Sequence, residues 1–321
     1  MNKTIISVTN LQKDYTVKTK QGFWKNAFFP KYKTITAVDN ISFQINKGES
    51  VALLGPNGAG KTTTMKMLSG LLYPTFGKVE ALGYFPFDRK YEYLKKIGLV
   101  MGNRSGLAWD LTSNQNFELI KKIYEISDNK FSERVKRLTE MLDVDTFLDK
   151  QVRKLSLGER MKLELVASLI YEPEILYLDE PTIGLDIISK QRIRTFLRDI
   201  QRDSQVTLLL TSHDMDDVEK VSDRVIVINH GQKIYDDSMD ELLRKYKDKK
   251  YLTLQLSESV NTKIIEKFGE IIEKKPLSYT IKISKDKQSH IISKIMDELP
   301  VDDIDIIHVP LEEMITHLFS Q

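Results

Sequence analysis

The 321-residue sequence contains no cysteine, which excludes disulfides, thiolate metal sites and cysteine nucleophiles. It also lacks any run approaching the roughly 18 to 20 consecutive apolar residues that a membrane-spanning helix needs. Apolar stretches such as 206–210 are of strand length. The first ten residues carry one lysine and no apolar leader, so secretion is not expected and a cytoplasmic location is. A marked excess of acidic or basic residues is missing too. Forty-eight Lys and Arg against 46 Asp and Glu leave a net charge of +2, which gives no reason to expect a nucleic-acid binder. His290, His308 and His317 are scattered without metal-like spacing. With 41% hydrophobic and 29% charged residues, the composition is that of an ordinary globular protein, and the length suits two domains.

Short apolar, β-branched runs alternate with helical patterns up to about residue 235, which predicts a largely parallel sheet covered by helices. Strands are expected at 51–55, 97–101, 174–179 and 206–211. A helix over 116–126 would place Phe117, Ile120 and Tyr124 on one face, and one over 131–142 would do the same for Phe131, Val135, Leu138 and Leu142. Both fall in a helical subdomain, 103–171, inserted between two strands of the sheet. Residues 224–235 read as a hairpin turning at His230 and Gly231. After a charged linker, 236–250, the order strand (251–256), helix (261–268), strand (270–275), strand (278–284), helix (289–299), strand (303–309) predicts a ferredoxin-like α+β domain, closed by a helix over 310–319. Leu252, Leu254 and Leu256 share one face of the first of these strands, and Tyr279, Ile281 and Ile283 share one face of the third.

Gly55-Pro56-Asn57-Gly58-Ala59-Gly60-Lys61-Thr62 is a phosphate-binding loop pattern, placed between the strand that ends at Leu54 and a helical pattern. Glycines there let backbone N–H groups curl around a β-phosphate, and the helix N-terminus adds a favourable dipole. Lys61 reaches the β/γ oxygens, Thr62 offers a hydroxyl to Mg²⁺, and Thr63 stands beside them. ATP and Mg²⁺ are therefore the expected cofactors. Downstream, Ile175-Leu176-Tyr177-Leu178-Asp179-Glu180 is an apolar run ending in two acids. Asp179 is suited to the Mg²⁺ shell, and Glu180 to orienting or deprotonating the attacking water.

Leu155-Ser156-Leu157-Gly158-Glu159-Arg160 resembles the signature motif of ABC transporter ATPases, and it lies shortly before the Asp179-Glu180 strand, as in that family. Thr182-Ile183-Gly184-Leu185-Asp186 resembles the family's D-loop, and Thr211-Ser212-His213 resembles its switch histidine. The resemblance covers residues 4–235. Its inserted helices, extra N-terminal segment and Leu-Ser-Leu-Gly form are most similar to ATP-binding subunits of drug and antibiotic exporters. It implies an α/β P-loop NTPase of the ABC type, 1–235, carrying the small ferredoxin-like domain, 251–321. It also implies a head-to-tail dimer with a second copy or a paralogue, in which Ser156 and Gly158 of one chain meet the γ-phosphate held by Lys61 of the other. Asp186 would bridge the two sites, and His213 would stabilise the γ-phosphate and the attacking water. A separate transmembrane permease would dock near 103–111, where Trp109 and Leu111 stand, and hold the chain peripherally on the inner face of the membrane.

Asn103 stands where the family has a glutamine, one methylene longer, so its contact with Mg²⁺ or nucleotide would be lost or bridged by water. Glu159 replaces another glutamine. The aromatic that stacks on adenine is Tyr15 by motif or Tyr32 by its spacing before Ala37. Between them, 16–36 holds five lysines and no acid, interleaved with Phe23, Trp24, Phe28 and Phe29. A short helix there, ended by Pro30, would face the membrane surface or fold back on the chain's own sheet. The competing function is a soluble ABC-type ATPase acting on DNA or ribosomes, although neither a long coiled-coil insertion nor a second ATPase domain is present.

Overall fold

Runs of five residues rich in Leu, Ile and Val become the central strands, because an element buried on both faces has no use for polar alternation. The computed structural model describes residues 3–18, 32–102, 104–245 and 249–319, in two compact units, Met1–Asp236 and Asp237–Gln321. Asn103 and the helix expected before Pro30 lie outside the described residues.

The first unit contains two sheets. One is antiparallel, ordered β2-β1-β4, from β1 (Thr4–Lys18), β2 (Tyr32–Asn46) and β4 (Phe76–Ala81). The other has the order β5-β6-β7-β3-β8-β9, from β3 (Ser50–Leu54), β5 (Ile97–Met101), β6 (Ile175–Asp179), β7 (Thr207–Thr211), β8 (Arg224–Asn229) and β9 (Gln232–Ser238). Its pairs from β5 through β8 are parallel, and every residue of β3, β6 and β7 is buried. The helix α1 (Lys61–Leu68) follows β3. Its Met65, Met67 and Leu68 join Ile6, Leu11 and Ile41 of the antiparallel sheet and Val51, Leu53 and Ile226 of the parallel one in a single apolar core. This core pins the start of α1, and with it the preceding loop, at the C-terminal edge of the sheet.

The antiparallel sheet was not among the elements expected from sequence. Asn10 and Asn40 adopt left-handed backbone conformations, and the β1–β2 register slips at several points, so neither strand shows a clean two-residue period.

Three helices, α2 (Ser113–Ile123), α3 (Asp128–Leu142) and α4 (Leu157–Leu169), form the insertion between β5 and β6. Helix α2 begins three residues before the apolar pattern does. Thr112 accepts from the Gln115 N–H while the Gln115 side chain accepts from the Thr112 N–H, a capping box that satisfies two terminal donors. Phe117, Leu138 and Leu142 are buried as expected. Helices α5 (Ile187–Ser204) and α6 (Met215–Val221) follow β6 and β7.

The second unit begins with α7 (Met239–Lys245). It continues as β10 (Lys249–Leu256), α8 (Thr262–Ile265), β11 (Glu270–Lys275), β12 (Ser278–Ser284), α9 (Gln288–Glu298), β13 (Val301–His308) and α10 (Leu311–Phe319). The sheet order β11-β12-β10-β13, antiparallel throughout, is the ferredoxin-like arrangement. Leu252 and Leu254 lie opposite Ile281 and Tyr279, and all four pack with Ile265, Ile295 and Leu299. Helix α8 is a single turn rather than the expected eight residues, with the chain leaving it through an i to i+3 bond from the Phe268 N–H to Ile265.

Candidate functional site

The parallel strand order decides which residues meet. Strand β3 lies beside β7, and β7 beside β6, so the loop after β3 and the polar ends of β6 and β7 converge at one edge of the sheet. A cavity of about 570 Å³ opens there, lined by Asn57, Gly58, Gly60, Lys61, Thr62 and Thr63 from the loop and by Glu180 and His213 from the two strand ends. Ala37 and Ile183 complete the wall.

Gly60 caps α1 at φ +107°, and a Cβ at that position would stand 2.5 Å from the Ala37 carbonyl oxygen, so only glycine lets the loop pass β2 this closely. Lys61 Nζ donates to the carbonyls of Gly55 at 2.7 Å and Pro56 at 3.2 Å. Burial pulls its ammonium below the usual lysine range, while Glu180 and Asp179 act the other way. Thr62 Oγ1 donates to Asp179 Oδ1 at 3.0 Å, and Thr211 Oγ1 donates to the same oxygen at 2.7 Å. No cluster of three or more His, Cys, Asp or Glu side chains suited to a metal occurs among the described residues. The Thr62–Asp179 pair is a hard-oxygen set of the kind Mg²⁺ uses when phosphate oxygens and water complete its shell.

Glu180 is in the left-handed region at φ +55°, an uncommon conformation for a non-glycine residue. Its N–H is held by the backbone carbonyl and the hydroxyl of Thr211, each at 3.1 Å. Its Oε2 lies 2.6 Å from His213 Nδ1. A carboxylate only accepts, so Nδ1 carries the proton of this bond and the ring orientation is fixed. The His213 side chain is 57% exposed and that of Glu180 21%, so the pair stands at the mouth of the cavity rather than in the core.

The remaining expected residues lie elsewhere. Ser156 caps α4, its Oγ accepting from the Glu159 N–H at 3.2 Å while Glu159 Oε2 accepts from the Ser156 N–H at 2.7 Å. This capping box gives Glu159 a role that a sequence comparison with glutamine conceals, and it leaves the Ser156 O–H free to donate. Asp186 caps α5. Bonds from the Ser189 N–H (2.9 Å) and hydroxyl (2.7 Å) hold its carboxyl below the usual range, the backbone bond being the largest cause. Neither the signature residues nor Asp186 line the cavity of their own chain. Tyr15 pairs with Ile35 and Tyr32 with Lys18, so the two tyrosines stand on opposite faces of the ribbon, while Ala37 falls at a register slip between Thr36 and Val38. Trp109 is exposed, with the Arg160 guanidinium 5.4 Å from its ring centre, and Leu111 is half-buried. No described helix is long and apolar enough to cross a membrane.

Residues 38–183 match the family model described as ABC transporter, and 248–306 match that of the EvrA-like ABC transporter C-terminal domain. The ABC transporter ATP-binding protein NatA of Bacillus subtilis is 34% identical over 215 residues, 67% of this chain and 87% of that protein. The bacitracin transport ATP-binding protein BcrA of Bacillus licheniformis is 34% identical over 227 residues, 71% of this chain and 72% of that protein. The energy-coupling factor transporter ATP-binding protein EcfA2 of Clostridium perfringens is 36% identical over 214 residues, 65% and 75% of the respective chains. Among solved structures, an ATP-binding subunit of an ABC transporter has the same fold, with a TM-score of 0.64 at 24% identity over 76% of this chain and 93% of that one. With its phosphate loop, paired acids and His213 gathered at one sheet edge, the chain belongs to the ATP-hydrolysing, ATP-binding subunits of ABC transporters.

Proposed function

We propose that two copies of this chain close head to tail over two ATP molecules and power export through a separate transmembrane permease. The observation that carries this reading is the Glu180–His213 pair, 2.6 Å apart, set in one cavity with Lys61 and the phosphate loop. That cavity supplies phosphate donors and a base from its own chain but no signature residue. The N–H groups at the start of α4, with the free Ser156 O–H, suit an anion presented by a second chain. Gly158 lets the start of α4 pack on Ser189 of its own chain, where a Cβ would stand 2.7 Å from the hydroxyl, and Asp186 at the cap of α5 carries the contact between the two sites.

In the closed pair the loop from Gly55 to Thr63 cradles the phosphates, and Lys61 spans the β/γ oxygens. Thr62 and Asp179 would hold Mg²⁺, which when bound neutralises charge on the phosphates. Glu180 takes the proton of the attacking water, and His213, oriented by Glu180 through its Nδ1–H, turns Nε2 toward the γ-phosphate, to which it donates when the ring is protonated. Tyr15 stacks on the adenine beside Ala37. Tyr15→Ala should therefore weaken ATP binding about tenfold, and Tyr32→Ala by less than about twofold, as read by titration with a fluorescent ATP analogue. Equal losses in both variants would refute the assignment.

Export is supported by the Leu155-Ser156-Leu157-Gly158 form and by relatives named for bacitracin transport and daunorubicin resistance. The permease would hold the chain on the inner face of the membrane. Affinity purification from detergent-solubilised membranes tests this: a multi-span membrane protein without its own ATPase domain should co-purify. Recovery with ribosomes and no membrane protein would overturn the proposal.

A further inference from the structure

Behind the Glu180–His213 pair lies a buried polar cluster that phosphate binding and hydrolysis do not account for. Asp217, on α6 and 2% exposed, offers both carboxylate oxygens to three different elements. Its Oδ2 accepts from the Thr182 hydroxyl, just past the end of β6, and from the Ser212 hydroxyl at 2.7 Å, just past the end of β7. Its Oδ1 accepts from Arg194 Nε on α5 at 2.6 Å. Arg194, 7% exposed, also reaches Asp214 Oδ1 at 2.9 Å and Asp216 Oδ2 at 3.1 Å. Ser212 Oγ in turn accepts from the Asp214 N–H at 3.0 Å, and Lys190 Nζ holds Asp214 Oδ2 at 2.6 Å. Thr182 and Ser212 are 3% and 1% exposed, so no water competes for these bonds.

Thr182 comes two residues after Glu180 and opens the segment that ends at Asp186, while Ser212 immediately precedes His213. One carboxylate oxygen thus grips both chain segments that carry the hydrolytic pair. We propose that Asp217 is a positioning residue: held by Arg194, it clips Thr182 to Ser212 so that Glu180 and His213 move as one body and keep their 2.6 Å contact. The clip explains how an exposed histidine stays in register with its acid. A carboxylate suits it because it accepts from all three donors at once, whereas an amide would turn an N–H toward Arg194 or toward the hydroxyls.

This inference rests on the assignment of Glu180 and His213 to hydrolysis. Asp217→Asn removes one of the three carboxylates around the buried Arg194 and is a poor probe, because loss of folding would imitate loss of positioning. Thr182→Val and Ser212→Ala each remove one donor to Asp217 and keep the volume nearly constant, Ser212→Ala also removing the acceptor of the Asp214 N–H. Either should lower kcat by roughly ten- to a hundredfold through misplacement of the pair, with KM for ATP changed by less than about twofold. Thr182→Ser, which restores the hydroxyl, should recover kcat. The double variant should be no slower than the slower single one, because either change already opens the clip. A Thr182→Val protein with normal kcat, or single losses that multiply in the double variant, would overturn the proposal. Glu180→Gln measured in parallel separates the two claims: if it still turns over, the assignment of the base fails whatever the clip variants do.

Discussion

Glu180→Gln should abolish turnover while leaving ATP binding intact, with phosphate release falling by about two to four orders of magnitude, the usual contribution of a positioned base. The substitution keeps the side-chain volume and one acceptor oxygen. Its left-handed backbone at φ +55° costs glutamine no more than glutamate, so the change is confined to chemistry. Nucleotide affinity should hold because the phosphate contacts come from the loop at 55–63 and from Lys61. Removing Glu180 also removes the larger of the two charges that favour the Lys61 ammonium, and the phosphates of bound ATP replace it. Phosphate release, with binding measured by an analogue titration, checks both halves. Sustained hydrolysis in this variant would mean that another group activates the water.

Gly102→Ala is expected to have the next largest effect, although residue 102 touches no phosphate. Strand β5 runs beside β6, and the Gly102 N–H donates to the Asp179 carbonyl at 2.8 Å. A Cβ on Gly102 would stand 2.2 Å from the Glu180 carbonyl oxygen and 2.7 Å from Ile183 Cγ2. The isoleucine can swing away. The carbonyl belongs to the backbone that carries the base, and moving it pulls Glu180 from His213. We expect kcat to fall by roughly ten- to a hundredfold, at a stability cost of about 1–3 kcal/mol, which lowers Tm by about 2–4 °C per kcal/mol in a unit of this size. Gly106→Ala is the matched control, since a Cβ there meets nothing within 4 Å. Equal kcat in the two variants would show that the approach of Gly102 to Glu180 does not position the base.

The phosphate loop and the paired acids were legible in the sequence because their chemistry dictates residue types at fixed spacing, and because parallel strands bring their C-terminal ends together regardless of what lies between. The apolar faces of α2 and α3 were legible for a similar reason, since Phe117, Phe131, Leu138 and Leu142 follow one period. The start of α2 was misplaced by three residues although its signal, Thr112 with Gln115, stood in the sequence. Strands β1 and β2 were hidden, since left-handed Asn10 and Asn40 and the slipped register erase the alternation that marks a strand. The strained backbone of Glu180 leaves no trace in residue type. Asp217 was not singled out in the sequence, because its partner Arg194 stands 23 residues upstream and only the packing of α5 on α6 brings the two together. The choice between Tyr15 and Tyr32 was open on spacing alone. The register of the ribbon adds that the two tyrosines stand on opposite faces, which spacing does not reveal.

The proposed sharing of each ATP site by two chains is tested most directly by light scattering of the Glu180→Gln protein. With Mg-ATP the protein should run at the mass of two chains, and with Mg-ADP at the mass of one. Adding Ser156→Arg, which blocks the signature surface without touching the phosphate loop, should return the ATP-bound protein to a single chain. A single chain with ATP bound, or a pair that forms equally well with ADP or with Ser156→Arg, would contradict it.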